Sequence, residues 1–185
     1  MRPAVRSTAV FALILTAALP LHAQSREGLM GDLIRDVTEV ERKIVGLARA
    51  MPAAAYEWRP GKGVRSASEV FMHVASDNYF LPAAMGTSAP AETGINGKEY
   101  QSAVAFEKRA LTRDQVIAEL EKSFAFLKKA MADTPDASLE APLDLFGKKT
   151  NARGMWITTA THLHEHLGQL IAYARISNVI PPWSK

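Results

Sequence analysis

The chain has 185 residues, with 22 Lys and Arg against 19 Asp and Glu, a formal charge of +3 and no cysteine. The missing thiol excludes disulfides, cysteine-ligated metal and a protein thiol nucleophile, so a metal site here has only imidazole, carboxylate and water to draw on. No basic run occurs beyond the N-terminus, so a nucleic-acid partner is not indicated.

In chain order the N-terminus comes first. Arg2 and Arg6 precede an apolar run over 9–19, and then Pro20 and Leu-His-Ala lead to Gln24. A charged start, a short apolar run and a small residue before the break predict a secretory signal over 1–23, cleaved after Ala23. The run is shorter than the roughly 20 apolar residues a spanning helix needs. No membrane span is therefore expected once the signal is gone, and the periplasm is the expected compartment. Residues 24–185 then form a single domain whose formal charge falls to +1, because Arg2 and Arg6 leave with the signal. That length suits one domain with its own core.

Four long helical segments follow. The first covers about Arg26 to Ala50, with Leu29, Leu33, Val37, Val40, Ile44 and Leu47 at steps of three and four, and Pro52 closes it. Residues 55–65 are a Pro/Gly connection. The second helix starts at Ser66, which stands at capping-box spacing from Glu69, and is expected to end near Leu81 because Pro82 follows. Residues 83–111 read as a long connection with room for a one- or two-turn helix around 100–110. The third helix starts at Thr112, again with a capping partner, Gln115, and buries Val116, Leu120, Phe124, Leu127 and Met131. A second long loop, 133–154, has its turn expected at Phe146-Gly147. The fourth helix covers about Met155 to Ser177, and the tail from Val179 is expected to be irregular because Pro181-Pro182 cannot continue it. No segment shows convincing strand alternation. The economical fold is all-α, a four-helix bundle with long crossover connections.

The histidines carry the chemistry. Of five, His22 lies in the signal, and His162, His164 and His166 crowd into the fourth helix. Positions i and i+4 are only about 40° apart around a helix, so His162 and His166 share a face while His164 points nearly opposite. A pair so spaced can chelate a divalent metal, although the stretch does not match the His-Glu-x-x-His pattern of metalloproteases. A third ligand is needed for a catalytic zinc site with one open position. His73, midway along the second helix among Val70, Phe71 and Val74, is the remaining candidate. The same position also suits a core histidine. Asp77, four residues on, is either a fourth ligand, an orienting group or a solvated carboxylate. Gln169 and Tyr173 lie on the face of His162 and are candidates to back the ligands or to touch substrate, with Tyr173 equally suited to the core. His164 and Glu165 read as surface or rim groups.

Three stretches together resemble the DinB/YfiT-like family. They are "EWRPGKGVRSASEVFMHVASDN", "HLHEHLGQLIAYAR" and "NVIPPWS", so the likeness spans 24–185. The resemblance implies a four-helix bundle with a long crossover, and a metal, zinc or nickel, held between helices by His73, His162 and His166. Some relatives resemble thiol-dependent transferases or isomerases. An export signal weighs against that role, because low-molecular-weight thiols are mainly cytosolic. The expected function is a metal-dependent hydrolase or thiol-dependent transferase of a small molecule. The alternative is a non-catalytic metal-binding or structural protein of the cell envelope. A concave, partly apolar cavity that opens onto the metal and is lined by Trp58, Phe80 or Trp156 would favour the enzyme, and a closed four-ligand site that includes Asp77 would favour the alternative. An exposed helix face leaves room for a homodimer.

Overall fold

The structure, a computed structural model, describes residues 27–145 and 147–184. The signal expected over 1–23, its cleavage point and the helix start at Arg26 lie outside the described residues. Six helices and one hairpin are present among the described residues. The long helices are α1 (Gly28–Ala50), α3 (Ala67–Ala84), α5 (Arg113–Asp133) and α6 (Ala152–Ile176). The short ones are α2 (Ala53–Tyr56) and α4 (Tyr100–Glu107). None of these helices is long and apolar enough to cross a membrane.

The four long helices form the bundle. α3 packs against α5 and α6, and α1 packs against the same two, so α1 and α3 sit on one diagonal and α5 and α6 on the other. Two of the three connections between long helices therefore cross the bundle end. The expected crossovers are present, but they are α1 to α3 and α5 to α6. The longest connection, between α3 and α5, joins neighbours and lays α4 along α3. Phe106 of α4 is fully buried with Phe71, Phe124, Trp156, Ile44, Leu47 and Leu120. Burial of each such side chain stabilises the fold by about 1.5–3 kcal/mol.

Both expected capping boxes form. Ser66 Oγ accepts from Glu69 N at 3.2 Å while Glu69 Oε2 accepts from Ser66 N at 2.6 Å. Thr112 and Gln115 repeat the exchange at 3.4 and 2.9 Å. In α1 the stripe from Val37 to Leu47 is buried, but Leu29 and Leu33 are only half-buried and Met30 takes the core position of the first turn.

Three expectations need correction. Pro82 does not end α3, which continues to Ala84. Proline removes one donor and fixes φ near −65°, and in a last turn few ladder bonds remain to be lost. The loop 133–154 holds two strands, β1 (Pro142–Leu145) and β2 (Lys148–Asn151), paired antiparallel from Pro142↔Asn151 to Leu145↔Lys148. The last pair of that register brings Gly147 into the turn between the strands. Gly147 adopts φ +79, and its N–H donates to Asp144 Oδ1 at 3.1 Å, while Phe146 lies outside the described residues. The tail is not wholly irregular either. Residues 182–184 make one 3₁₀ turn docked on α1, with Pro182 3.9 Å from where a side chain on Gly46 would begin.

Candidate metal centre

α3 is buried over a continuous run from Val70 to Phe80, because α4, α5 and α6 cover its different sides. His73 lies in that run and is 7% exposed. α6 faces it with one turn of helix, from which His162 and His166 project together. The three imidazoles meet edge to face. Ring centroids are 4.4 Å apart for His162–His166, 4.6 Å for His73–His166 and 5.3 Å for His73–His162, with interplanar angles of 81–88°. Nε2 of His162 and Nε2 of His166 are 3.0 Å apart. One nitrogen from each ring falls within 4.8 Å of the others, a group that could hold a metal ion.

The outward nitrogens each face an oxygen. Nδ1 of His73 is 2.7 Å from Glu107 Oε1, Nδ1 of His166 is 3.0 Å from Gln169 Oε1, and Nδ1 of His162 is 3.5 Å from Asp77 Oδ2. Protons placed on Nδ1 leave the Nε2 lone pairs directed inward, which is the arrangement ligating histidines use. Burial first, then the charges of the neighbouring histidines and Arg65, lowers His162 to about 4. Burial also lowers His166, against the hydrogen bond to Gln169. Both rings are thus neutral at pH 7, with lone pairs ready. Three imidazoles and a nearby carboxylate form a donor set that could hold a divalent metal ion.

Asp77 is 3.4 Å from His73 Nε2 as well as 3.5 Å from His162 Nδ1. Burial raises its carboxyl to about 6, opposed by the charge of His73. A buried carboxylate so placed gains most from a cation beside it. With His73 and Glu107 it forms a second group with metal-ligand spacing.

Gln169 and Tyr173 form one chain behind His166. Gln169 Nε2 donates to Tyr173 Oη at 2.9 Å, and Tyr173 donates to the carbonyl of Arg65 at 3.2 Å. His164 points away, with Nε2 2.8 Å from Asp36 in a half-exposed pair, and Glu165 is exposed.

Glu107 and Arg65 are absent from the sequence-based candidates. Glu107 closes α4, 34 positions from the histidine it touches, and its Oε2 takes a hydrogen bond from Arg65 Nη2 at 3.2 Å. Burial opposes its ionisation, but His73 and Arg65 outweigh that and hold its carboxyl below the usual range. No spacing rule links Glu107 to His73; the only hint was the helix-compatible stretch around 100–110.

The expected aromatic residues do not line a cavity at the histidines. Trp156 is core, Phe80 packs on Tyr100 and Trp58 stands edge-on to Tyr173. A cleft of about 820 Å³ is lined by both charged and apolar groups, among them Arg59, Arg65, Glu69, Glu107, Met72 and Leu111. Glu107 lines it, and His73 does not.

The family model of the DinB superfamily matches residues 37–170. The fold is similar to a DinB-like protein of Bacillus subtilis, with 16% identity, a TM-score of 0.65, and coverage of 83% of this chain and 97% of that one. It is likewise similar to a DinB-like protein of Bacillus cereus, with 13% identity, a TM-score of 0.66, and coverage of 83% and 95%. At such identities the likeness speaks for the fold alone. No curated protein matches the chain.

Proposed function

The chain belongs to the DinB superfamily, and on that premise we propose that it holds one divalent metal ion through Nε2 of His73, His162 and His166. Zinc or nickel is the proposed ion. The proposed role is that of a metal-dependent enzyme acting on a small molecule. Bound there, the ion would supply the Lewis-acid charge that makes a nucleophile of water or a thiol at neutral pH. Hydrolysis is the preferred reaction and thiol transfer the second, because the signal-like residues 1–23 favour export to the periplasm.

The observation that carries the reading is the set of outward partners. Glu107 and Gln169 take Nδ1 of His73 and His166, and Asp77 stands 3.5 Å from Nδ1 of His162, so the Nε2 atoms of the three rings are the nitrogens left to share one ion. His162, with a side chain 26% exposed, gives the cluster an edge open to solvent where a substrate can approach.

Asp77 favours a second reading, the non-catalytic metal protein of the envelope. Its carboxylate lies close enough to two of the histidines to close the site as a fourth ligand. One preparation separates the two. Residues 24–185, purified without a His-tag and loaded with cobalt, should change their visible spectrum on addition of a small thiol if a coordination position is open. The zinc-loaded protein is then screened on esters, amides and thiol-plus-electrophile pairs. Hydrolysis or transfer lost together with metal in His162→Ala supports the enzyme. Activity that survives metal removal refutes it.

A further inference from the structure

The hydrogen bonds behind His73 and His166 run on different helices, yet both chains end on Arg65. A main-chain carbonyl can only accept, so the Tyr173 hydroxyl spends its proton on Arg65 O. The Tyr173 oxygen then accepts from Gln169 Nε2. That turns the Gln169 amide so that Oε1 faces His166 Nδ1. An amide oxygen also only accepts, so Nδ1 carries the proton of neutral His166, and its lone pair lies on Nε2, facing His162. On the other side Arg65 Nη2 donates to Glu107 Oε2 at 3.2 Å and so fixes which way that carboxyl turns. Glu107 Oε1, 2.7 Å from His73 Nδ1, is a closer acceptor than Asp77 Oδ2, 3.4 Å from Nε2, so the ring's proton sits on Nδ1 and its lone pair on Nε2.

We propose that Arg65 is the positioning residue of this centre, setting the tautomer of His73 through its guanidinium and that of His166 through its main-chain carbonyl. Its place in the chain makes this possible. Arg65 precedes Ser66, the N-cap of α3, and the reciprocal Ser66–Glu69 bonds hold the backbone at that point. One anchored residue thus presents a fixed acceptor to α6 and a fixed cation to α4. In water the two neutral imidazole tautomers interconvert, so without these chains part of the histidine population would present a proton where the metal belongs.

The inference rests on the metal reading, but its first test does not need metal. Nitrogen-15 spectra of histidine-labelled, metal-free protein at pH 8 report which nitrogen of each ring is protonated. Wild type should show His73 and His166 protonated at Nδ1. Tyr173→Phe should release the His166 tautomer and leave His73 unchanged. Arg65→Gln, which keeps the carbonyl, should release His73 and leave His166 unchanged, and Arg65→Lys should restore His73. Zinc affinity should fall about 10- to 100-fold in the Phe and Gln variants. A His166 protonated at Nε2 in wild type would overturn the proposal. So would equal effects of both variants on both rings, or unchanged tautomers in the Phe variant and in any Gln variant that folds. Wild-type protein that binds no zinc but shows the expected tautomers would defeat the metal reading alone.

Discussion

Replacing Asp77 by Asn should stabilise the metal-free protein at neutral pH while weakening it as a metal protein. The carboxyl is 8% exposed, and burial raises it from 3.8 to about 6. A folded-state pKa above the unfolded value means that the native state binds the proton more tightly. The native state therefore loses stability as pH rises from about 4 to about 6, and above that it bears the whole cost. Two pKa units correspond to about 3 kcal/mol, an upper bound for a group with two histidines and Glu107 nearby. Asn keeps the shape and removes the charge. Urea unfolding in the presence of chelator should show Asp77→Asn more stable than wild type by about 1–3 kcal/mol at pH 7.5. At pH 4.5 most of that difference should be gone. Adding zinc should reverse the order, because a cation beside the carboxylate offsets its desolvation and binding to the native state alone stabilises it. A metal-free Asp77→Asn that is less stable than wild type at pH 7.5 would refute the argument. It would mean that the hydrogen bonds of the carboxylate outweigh its desolvation.

Three other perturbations separate the parts of the account. His164→Ala should leave zinc binding intact and change stability by less than about 1 kcal/mol, because it removes only a half-exposed pair with Asp36; elemental analysis beside a thermal melt checks both. Gly97→Ala should destabilise by about 2 kcal/mol or more, since a methyl there would stand 2.1 Å from the carbonyl of Ala83 and push the 85–99 segment off α3. Zinc affinity in that variant should fall as well, because α4 carries Glu107, and calorimetry reads it. Zinc affinity in wild type should drop less between pH 8 and pH 6 than it would for three ordinary histidines, since burial lowers His162 to about 4 and also lowers His166. Three ordinary histidines would give a drop of about 70-fold.

The features legible in the sequence were those whose cause is local. The His162/His166 pair follows from helix pitch alone, and the Ser66 and Thr112 caps from three-residue spacing. The apolar stripes of α1 and α5 are periodic because each helix has one outer face in water. α3 has none, so its periodicity is weak and His73 could be reached only by elimination. What stayed hidden depends on contacts across the chain. Glu107 meets His73 because α4 folds back along α3, and Arg65 meets Tyr173 because the loop before α3 passes the end of α6. The hairpin at 142–151 escaped notice because its strands are four residues long, mostly polar and paired only with each other. Pro82 misled in the opposite way, since a rule for helix interiors was applied to a last turn.

X-ray absorption at the zinc edge of loaded protein, residues 24–185, is the most direct measurement of the central claim. One zinc per chain, with three imidazole nitrogens at about 2.0–2.1 Å and stoichiometry lost in both His73→Ala and His162→Ala, is the predicted result. A shell of oxygens without imidazole scattering, or full zinc content retained in His162→Ala, would contradict it.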